Sequence, residues 1–124
     1  MKTKEITICG KQVTLAYCFA TEISYKILAE EDITDFIESA INDIQNKRMP
    51  DMRKSIYAIL AAMSAYCEAN GMEHPITDDN IMFNATPTEI GTAIGTIIGL
   101  RTEFYRLPKD EPEEETTDDT QKNV

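Results

Sequence analysis

The chain has few residues of the kinds that build catalytic or metal sites. Its 124 residues include one histidine, His74, and three cysteines, which are Cys9, Cys18 and Cys67. His74 has no cysteine or second histidine near it in the sequence, so no zinc site is expected. No glycine-rich loop leads from a strand into a helix, which argues against the common nucleotide-binding motifs. The sequence therefore predicts no catalytic residues, no metal and no cofactor, and a protein that is not an enzyme.

Long apolar runs are also absent. No stretch reaches the roughly 18 apolar residues of a transmembrane helix, and the polar residues 1–5 do not begin a signal peptide. Three scattered cysteines are too few for a disulfide framework, and free thiols that are buried or half-buried are the simplest interpretation. These absences predict a soluble protein of the reducing cytosol.

Basic residues are scarce, because 22 Asp and Glu stand against 12 Lys and Arg, a net charge of −10. Binding to phosphates needs clustered Lys and Arg, so neither nucleic acid nor an anionic membrane surface is an expected partner. Residues 109–124 hold seven acids and two lysines, a net charge of −5, with Val124 as their only apolar residue. The sequence thus predicts a single domain over residues 1–108 and a disordered acidic tail over residues 109–124.

The body predicts an α+β fold, mainly helical, with an N-terminal β-hairpin packed on a bundle of four to five helices. Polar and apolar residues alternate in residues 4–9 and 12–17, as in strands with one buried face. Gly10 and Lys11 between them suit a two-residue type II′ turn, which pairs Ile8 with Val13. This register places five apolar side chains on one face: Ile6, Ile8, Val13, Leu15 and Tyr17.

Two helix signals follow the hairpin. Thr21 is the predicted N-cap of a first helix that continues to about Glu31. Its predicted core stripe consists of Ile23, Ile27 and Leu28. Thr34 is the predicted N-cap of a second helix, which Pro50 follows. Its predicted core face consists of Phe36, Ile37, Ala40, Ile41 and Ile44.

Three further helical segments complete the body. Residues 51–70 predict a long, apolar central helix, with Gly71 just beyond its end. Residues 77–80 predict the start of a short helical turn. Residues 86–89, Thr-Pro-Thr-Glu, combine an N-cap threonine, proline at the first helical position and a capping-box glutamate. They predict a last helix that ends near Leu107.

Glycines recur in that last helix in an unusual pattern. Gly91, Gly95 and Gly99 are spaced four residues apart, and each costs about 0.5–1 kcal/mol relative to alanine in a helix. Such a stripe forms a shallow groove that another backbone can approach closely. Two interpretations stay open, namely close packing inside the domain and docking of a partner helix or a second copy. In the second case the predicted partner-binding residues are Gly91, Ile94, Gly95, Ile98 and Gly99.

Several short motifs also occur along the chain in a recognisable order. They are Cys-Gly-Lys-Gln at 9–12, Tyr-Cys-Phe at 17–19, Glu-Asp-Ile-Thr-Asp-Phe at 31–36, Thr-Pro-Thr-Glu at 86–89 and a charged tail at 110–119. In this order and spacing the chain resembles the tail assembly chaperones of tailed phages and prophages. The glycine stripe is not part of that resemblance.

The resemblance implies a non-enzymatic role in viral morphogenesis. Such chaperones bind the long, helical tape-measure protein in the host cytoplasm, keep it soluble, and are absent from the mature virion. An apolar groove and a strong negative charge suit that task, and self-association is a further open expectation. Two alternatives also stay open: a structural tail or head–tail connector component that forms a ring, and a small host or prophage regulator that binds another protein.

Overall fold

The computed structural model describes residues 1–108, and the predicted acidic tail, residues 109–124, lies outside the described residues. Within the described part, two strands precede five helices. These elements are β1 (Lys2–Ile8), β2 (Lys11–Tyr17), α1 (Phe19–Ala29), α2 (Ile33–Gln45), α3 (Met52–Ala69), α4 (Asp78–Asn84) and α5 (Pro87–Phe104). The predicted fold class, a hairpin followed by helices, is confirmed.

The hairpin buries the predicted face in a different register. Ile6 pairs with Val13 and Ile8 with Lys11, so the pairing is shifted by two residues from the predicted one. The turn residues are Cys9 and Gly10, with φ of 55° and 75°. Positive φ at both central positions defines a type I′ turn, not the predicted type II′. Because side chains alternate with a period of two, a two-residue shift leaves the same side chains pointing inward.

Helix α3 lies at the centre of the described domain, as predicted, and contacts β2, α1 and α5. The side chain of Asp51 caps its start by accepting a hydrogen bond from the backbone N–H of Lys54 at 2.9 Å. Gly71 follows its end with φ of 63°, a left-handed conformation that glycine adopts without steric cost. The buried residues of α3 are Ser55, Ile56, Ala58, Ile59, Ala61, Ala62, Met63, Ala65 and Cys67.

Helix α2 is an ordinary amphipathic helix with one buried side. That side consists of Ile33, Phe36, Ile37 and Ala40. The N-cap is Asp32 and not the predicted Thr34, whose hydroxyl instead accepts a hydrogen bond from Arg101 Nη2 at 3.0 Å. Ile41 and Ile44, predicted on the buried face, are exposed. The core therefore ends one turn earlier along α2 than the apolar pattern predicts.

The last two helices begin with capping boxes. Thr86 and Glu89 exchange hydrogen bonds between side chain and backbone at 3.0 and 3.2 Å, which confirms the predicted start of α5. Thr77 and Asn80 make the same exchange before α4. Helix α5 ends at Phe104, short of the predicted Leu107. It packs against both strands and α3, so it closes the inner face of the hairpin.

Helix α1 begins earlier than predicted and faces the other way. Its N-cap is Cys18, and Thr21, the predicted cap, is the third helical residue. The buried residues of α1 are Thr21 and Tyr25. The predicted core stripe is exposed instead, by 61% at Ile23, 73% at Ile27 and 41% at Leu28.

Hydrogen bonds explain how polar side chains occupy the inner side of α1. Thr21 Oγ1 donates to the carbonyl oxygen of Ala16 at 2.8 Å and accepts from the backbone N–H of Cys18 at 3.2 Å. The Tyr25 hydroxyl donates to Glu31 Oε2 at 2.6 Å. A buried polar group that has its partners carries little desolvation penalty. The prediction that Ile23, Ile27 and Leu28 form a core stripe was wrong, because hydropathy alone does not indicate these hydrogen bonds.

Over residues 1–108, the helices are too short or too polar to cross a membrane.

Candidate protein-interaction surfaces

The glycines of α5 lie on the outside of the domain. Gly95 and Gly99 are exposed and Gly91 is half-buried, and a methyl group added at any of the three meets no atom within 4 Å. Gly95 and Gly99 line a shallow depression of about 470 Å³ beside Lys4 of β1. Close packing inside the domain therefore does not explain the glycines, because no described residue occupies the space in front of them.

The five predicted partner-binding residues do not share one surface. Ile94 is buried in the core, and Ile98 is half-buried and packs against it. Ile94 is 1% exposed and therefore offers almost no surface to a partner. The three glycines remain accessible, and their contact with a partner stays a prediction.

A larger apolar surface lies on α1. Phe19, Ile23 and Ile27 recur every four residues, which aligns them along one side of a helix. Phe19 is 63% exposed, similar to the two isoleucines. We call these three residues the α1 apolar face. At its start, the ring of Phe19 packs edge-on against Phe104 with centroids 5.1 Å apart, and Phe104 in turn lies 5.7 Å from the ring of Tyr17.

A carboxylate fixes the first turn of α1 against its neighbours. Glu22 Oε2 accepts a hydrogen bond from the Tyr17 hydroxyl at 2.8 Å and another from the Tyr105 hydroxyl at 2.5 Å. Burial and the bond to Glu22 raise the pKa of Tyr17, and the bond to Glu22 is the main cause of the raised pKa of Tyr105. Both tyrosines are therefore protonated donors at neutral pH. The bonds connect α1 to β2 and to the end of α5.

A second carboxylate holds the other end of α1. Glu31 accepts from the Tyr25 hydroxyl through Oε2 and from Lys54 Nζ of α3 through Oε1 at 3.2 Å. Burial, followed by this hydrogen bond, raises the pKa of Tyr25. With contacts fixed at both ends, α1 is held so that its apolar face points to solvent.

The acidic charge of the body is concentrated in the α1–α2 connection and on α2. Residues 19–45 contain seven acids and one lysine, a net charge of −6, whereas residues 1–18 and 46–70 carry +2 each. The lysine is Lys26, whose Nζ lies 2.9 Å from Asp32 Oδ1. The seven acids are Glu22, Glu30, Glu31, Asp32, Asp35, Glu38 and Asp43. The segment that contains the α1 apolar face is therefore the most acidic part of residues 1–108.

An apolar groove of about 740 Å³ lies between α3, α4 and α5. Met52 and Met82 line it together with the charged residues Arg53 and Asp78. Methionine side chains adapt to irregular apolar partners, and the volume is within the usual range of ligand pockets. Phe83, the residue after Met82, is largely exposed. The sequence predicts no groove here, because the groove forms only when three helices separated in sequence come together.

Chemistry-bearing side chains are dispersed over the described residues. His74 is exposed, with Nε2 3.5 Å from Ser64 Oγ. Cys9 and Cys18 are half-buried and Cys67 is buried, all as free thiols, as predicted. Burial raises the pKa of the Cys9 and Cys67 thiols, and a protonated thiol is a poor nucleophile. Between residues 1 and 108, no group of three or more His, Cys, Asp or Glu side chains is placed to hold a metal ion.

Comparisons with known proteins return no match, whether the chain is set against family models, curated proteins or solved structures.

Proposed function

We propose that the protein is a non-enzymatic tail assembly chaperone of a phage or prophage, which binds and solubilises the tape-measure protein. The order of the sequence motifs supports this proposal. The structural observation that carries it is the α1 apolar face, which two carboxylates hold toward solvent. Apolar side chains that are grouped at the surface, and not scattered singly, are typical of protein-binding sites.

The physical demands of the proposed task agree with these properties. Before the tail tube polymerises around it, a long helical tape-measure protein exposes apolar helix faces. Such faces aggregate unless another protein covers them. An apolar helix surface can cover them in the manner of helix-in-groove recognition. A net charge of −10 opposes aggregation of the complex through mutual repulsion. A small contact surface also favours release, since small interfaces are typical of transient complexes.

Co-expression tests the proposal directly. The chain is expressed with the long, helix-rich protein encoded beside it, and the soluble fraction is analysed by affinity purification and size-exclusion chromatography. We expect the long protein to be insoluble alone and to be recovered as a soluble complex with the chain. Equal solubility of the long protein with and without the chain would contradict a chaperone role.

Mass spectrometry of purified particles separates the chaperone from a structural component. A chaperone leaves before the tail is complete, so we expect none of its peptides in mature particles. Stoichiometric recovery of the chain in particles would favour the ring-forming alternative instead.

A further inference from the structure

We propose that the α1 apolar face is the docking site for a single amphipathic helix of another protein, one whose apolar stripe is flanked by Lys and Arg. The proposal rests on the proposed function for the identity of the partner and adds the contact residues, which are Phe19, Ile23 and Ile27. It also adds the charge that the partner must carry.

The shape of the face suits a helix. The first and last of the three side chains are eight residue steps apart, about 12 Å along the helix axis. Together the three form a ridge of the kind that packs into the groove between ridges of a second helix. Ala20 and Ser24 run beside this ridge, one position along from Phe19 and Ile23. Their small side chains leave room for the larger residues of a partner helix.

The charge beside the face determines which helix fits. Lys26 Nζ lies 2.9 Å from Asp32 Oδ1, and Glu30 is the C-cap residue of α1, so both acids lie beside the second half of α1. Within residues 19–45, all of them described, Lys26 is the one basic residue. It forms an ion pair with Asp32. Asp35 and the exposed Glu30 form no ion pair with any base in residues 1–108. A helix with Lys or Arg beside its apolar stripe would pair with these carboxylates.

The chain's own last residues do not have the chemistry to cover the face. Residues 109–124 contain one apolar side chain, Val124, and carry a net charge of −5. They offer neither an apolar stripe nor a net positive charge, so an intramolecular occupant is disfavoured.

A second copy of the chain is disfavoured by charge and by area. Pairing two α1 faces would bring together two segments of net charge −6 each, and like charges across an interface oppose association. The exposed parts of the three side chains amount to roughly 350 Å² per protomer, well below the ~800 Å² per partner of a standard stable interface. The face is large enough for one transiently bound helix.

Two fluorescent synthetic peptides provide the test with the full chain. Both are helical with the same leucine stripe, but one has Lys and Arg beside the stripe and the other has Glu. Fluorescence anisotropy titrations measure the dissociation constant of each peptide. We expect the basic peptide to bind at least about tenfold more tightly than the acidic peptide, which corresponds to about 1.4 kcal/mol.

Matched double variants locate the binding site. The Ile23→Ser/Ile27→Ser variant removes the centre of the face, and Ile41→Ser/Ile44→Ser removes two exposed isoleucines of α2 in the same acidic segment. We expect the first variant to weaken binding of the basic peptide by about tenfold or more and the second to leave it unchanged. Both should fold, since all four side chains are exposed, and circular dichroism checks this.

Three results overturn the proposal: equal binding of the two peptides, no loss in the Ile23/Ile27 variant, or equal loss in both variants. Repeating the co-expression with the same variants separates the site from the function. If both variants retain the tape-measure candidate, the site is wrong and the chaperone proposal stands. If the parent chain binds the basic peptide through this face but retains no tape-measure candidate, the site stands and the proposed partner is wrong.

Discussion

Helices α1 and α2 follow each other and have similar lengths, 11 and 13 residues, but they arrange their side chains in opposite ways. Helix α2 buries Phe36 and Ile37, as an amphipathic helix usually does. Helix α1 buries Thr21 and Tyr25 and exposes its isoleucines. The difference shows that hydrogen bonds between α1 and its surroundings determine which side of this helix faces the core.

The contrast also separates two uses of apolar residues. On α2 they stabilise the domain, because burial removes their surface from water. On α1 they contribute little to the stability of the isolated chain, since water still reaches most of their surface. The free energy of burying these side chains is gained only when another molecule binds and covers them.

Alanine substitutions on α1 and α2 should give the largest difference in the free energy of unfolding. Ile37→Ala removes a buried side chain and should lower the free energy of unfolding by about 2–5 kcal/mol. Ile27→Ala removes an exposed side chain and should change it by less than about 0.5 kcal/mol. Urea unfolding followed by circular dichroism measures both. A similar loss at both positions would mean that the α1 apolar face is covered in the isolated protein.

Alkaline pH should loosen α1 through its tyrosine–carboxylate bonds. Burial and the bonds to Glu22 and Glu31 raise the pKa of Tyr17 and Tyr25 above the ordinary value of about 10. The folded state thus holds these two protons more tightly than the unfolded state. Their stabilising contribution is complete below about pH 10 and is lost as the pH rises toward the higher folded-state values.

The matched variant for this effect is Tyr25→Phe. It removes a hydrogen bond to a charged group and should cost about 1.5–3 kcal/mol at neutral pH. Above about pH 10 the parent chain should lose stability more steeply than the variant, so the two unfolding free energies should converge. Urea titrations at a series of pH values measure this. Parallel curves would show that the Tyr25 proton does not contribute.

A substitution on the outer side of α5 should give the smallest change in the free energy of unfolding, and this change should be an increase. Gly95→Ala should raise the free energy of unfolding by about 0.5–1 kcal/mol, because the methyl group meets open space and alanine favours the helix. Gly71→Ala is the control, since its φ of 63° is strained for an alanine and should cost about 1–2 kcal/mol. Thermal unfolding measures both. A loss at Gly95 would contradict the open space in front of it and would indicate a close contact there in solution.

Local signals predicted the positions of the elements well. The exchange between Thr86 and Glu89 depends on residues three apart, so the start of α5 was predictable from four residues. The buried face of the hairpin was predictable because alternation survives a two-residue shift. The strand register was not predictable from the sequence. Cys9 occupies a turn position with positive φ, where hairpins usually have Asn, Asp or Gly.

The candidate surfaces were harder to predict, because they depend on which side of a helix meets the core. Ile23 and Ile27 formed the stronger apolar pattern, while the bonds of Thr21 to Ala16 and of Tyr25 to Glu31 appear only in the folded chain. The sequence did contain a signal on the other side, since Thr21 and Tyr25 are four residues apart. For the glycines, the sequence left two interpretations open, and the packing of α5 on the strands disfavours the internal one.

The way α5 closes the hairpin has a consequence for synthesis on the ribosome. The inner side chains of the strands, such as Ile8 and Leu15, are fully buried in the finished domain by α3 and α5. The strands are translated about 90 residues before the end of α5, an interval of roughly 5–20 s at ~5–20 residues per second. Throughout that interval their apolar side has no complete cover. We therefore expect the nascent chain to be bound by ribosome-associated chaperones until α5 emerges.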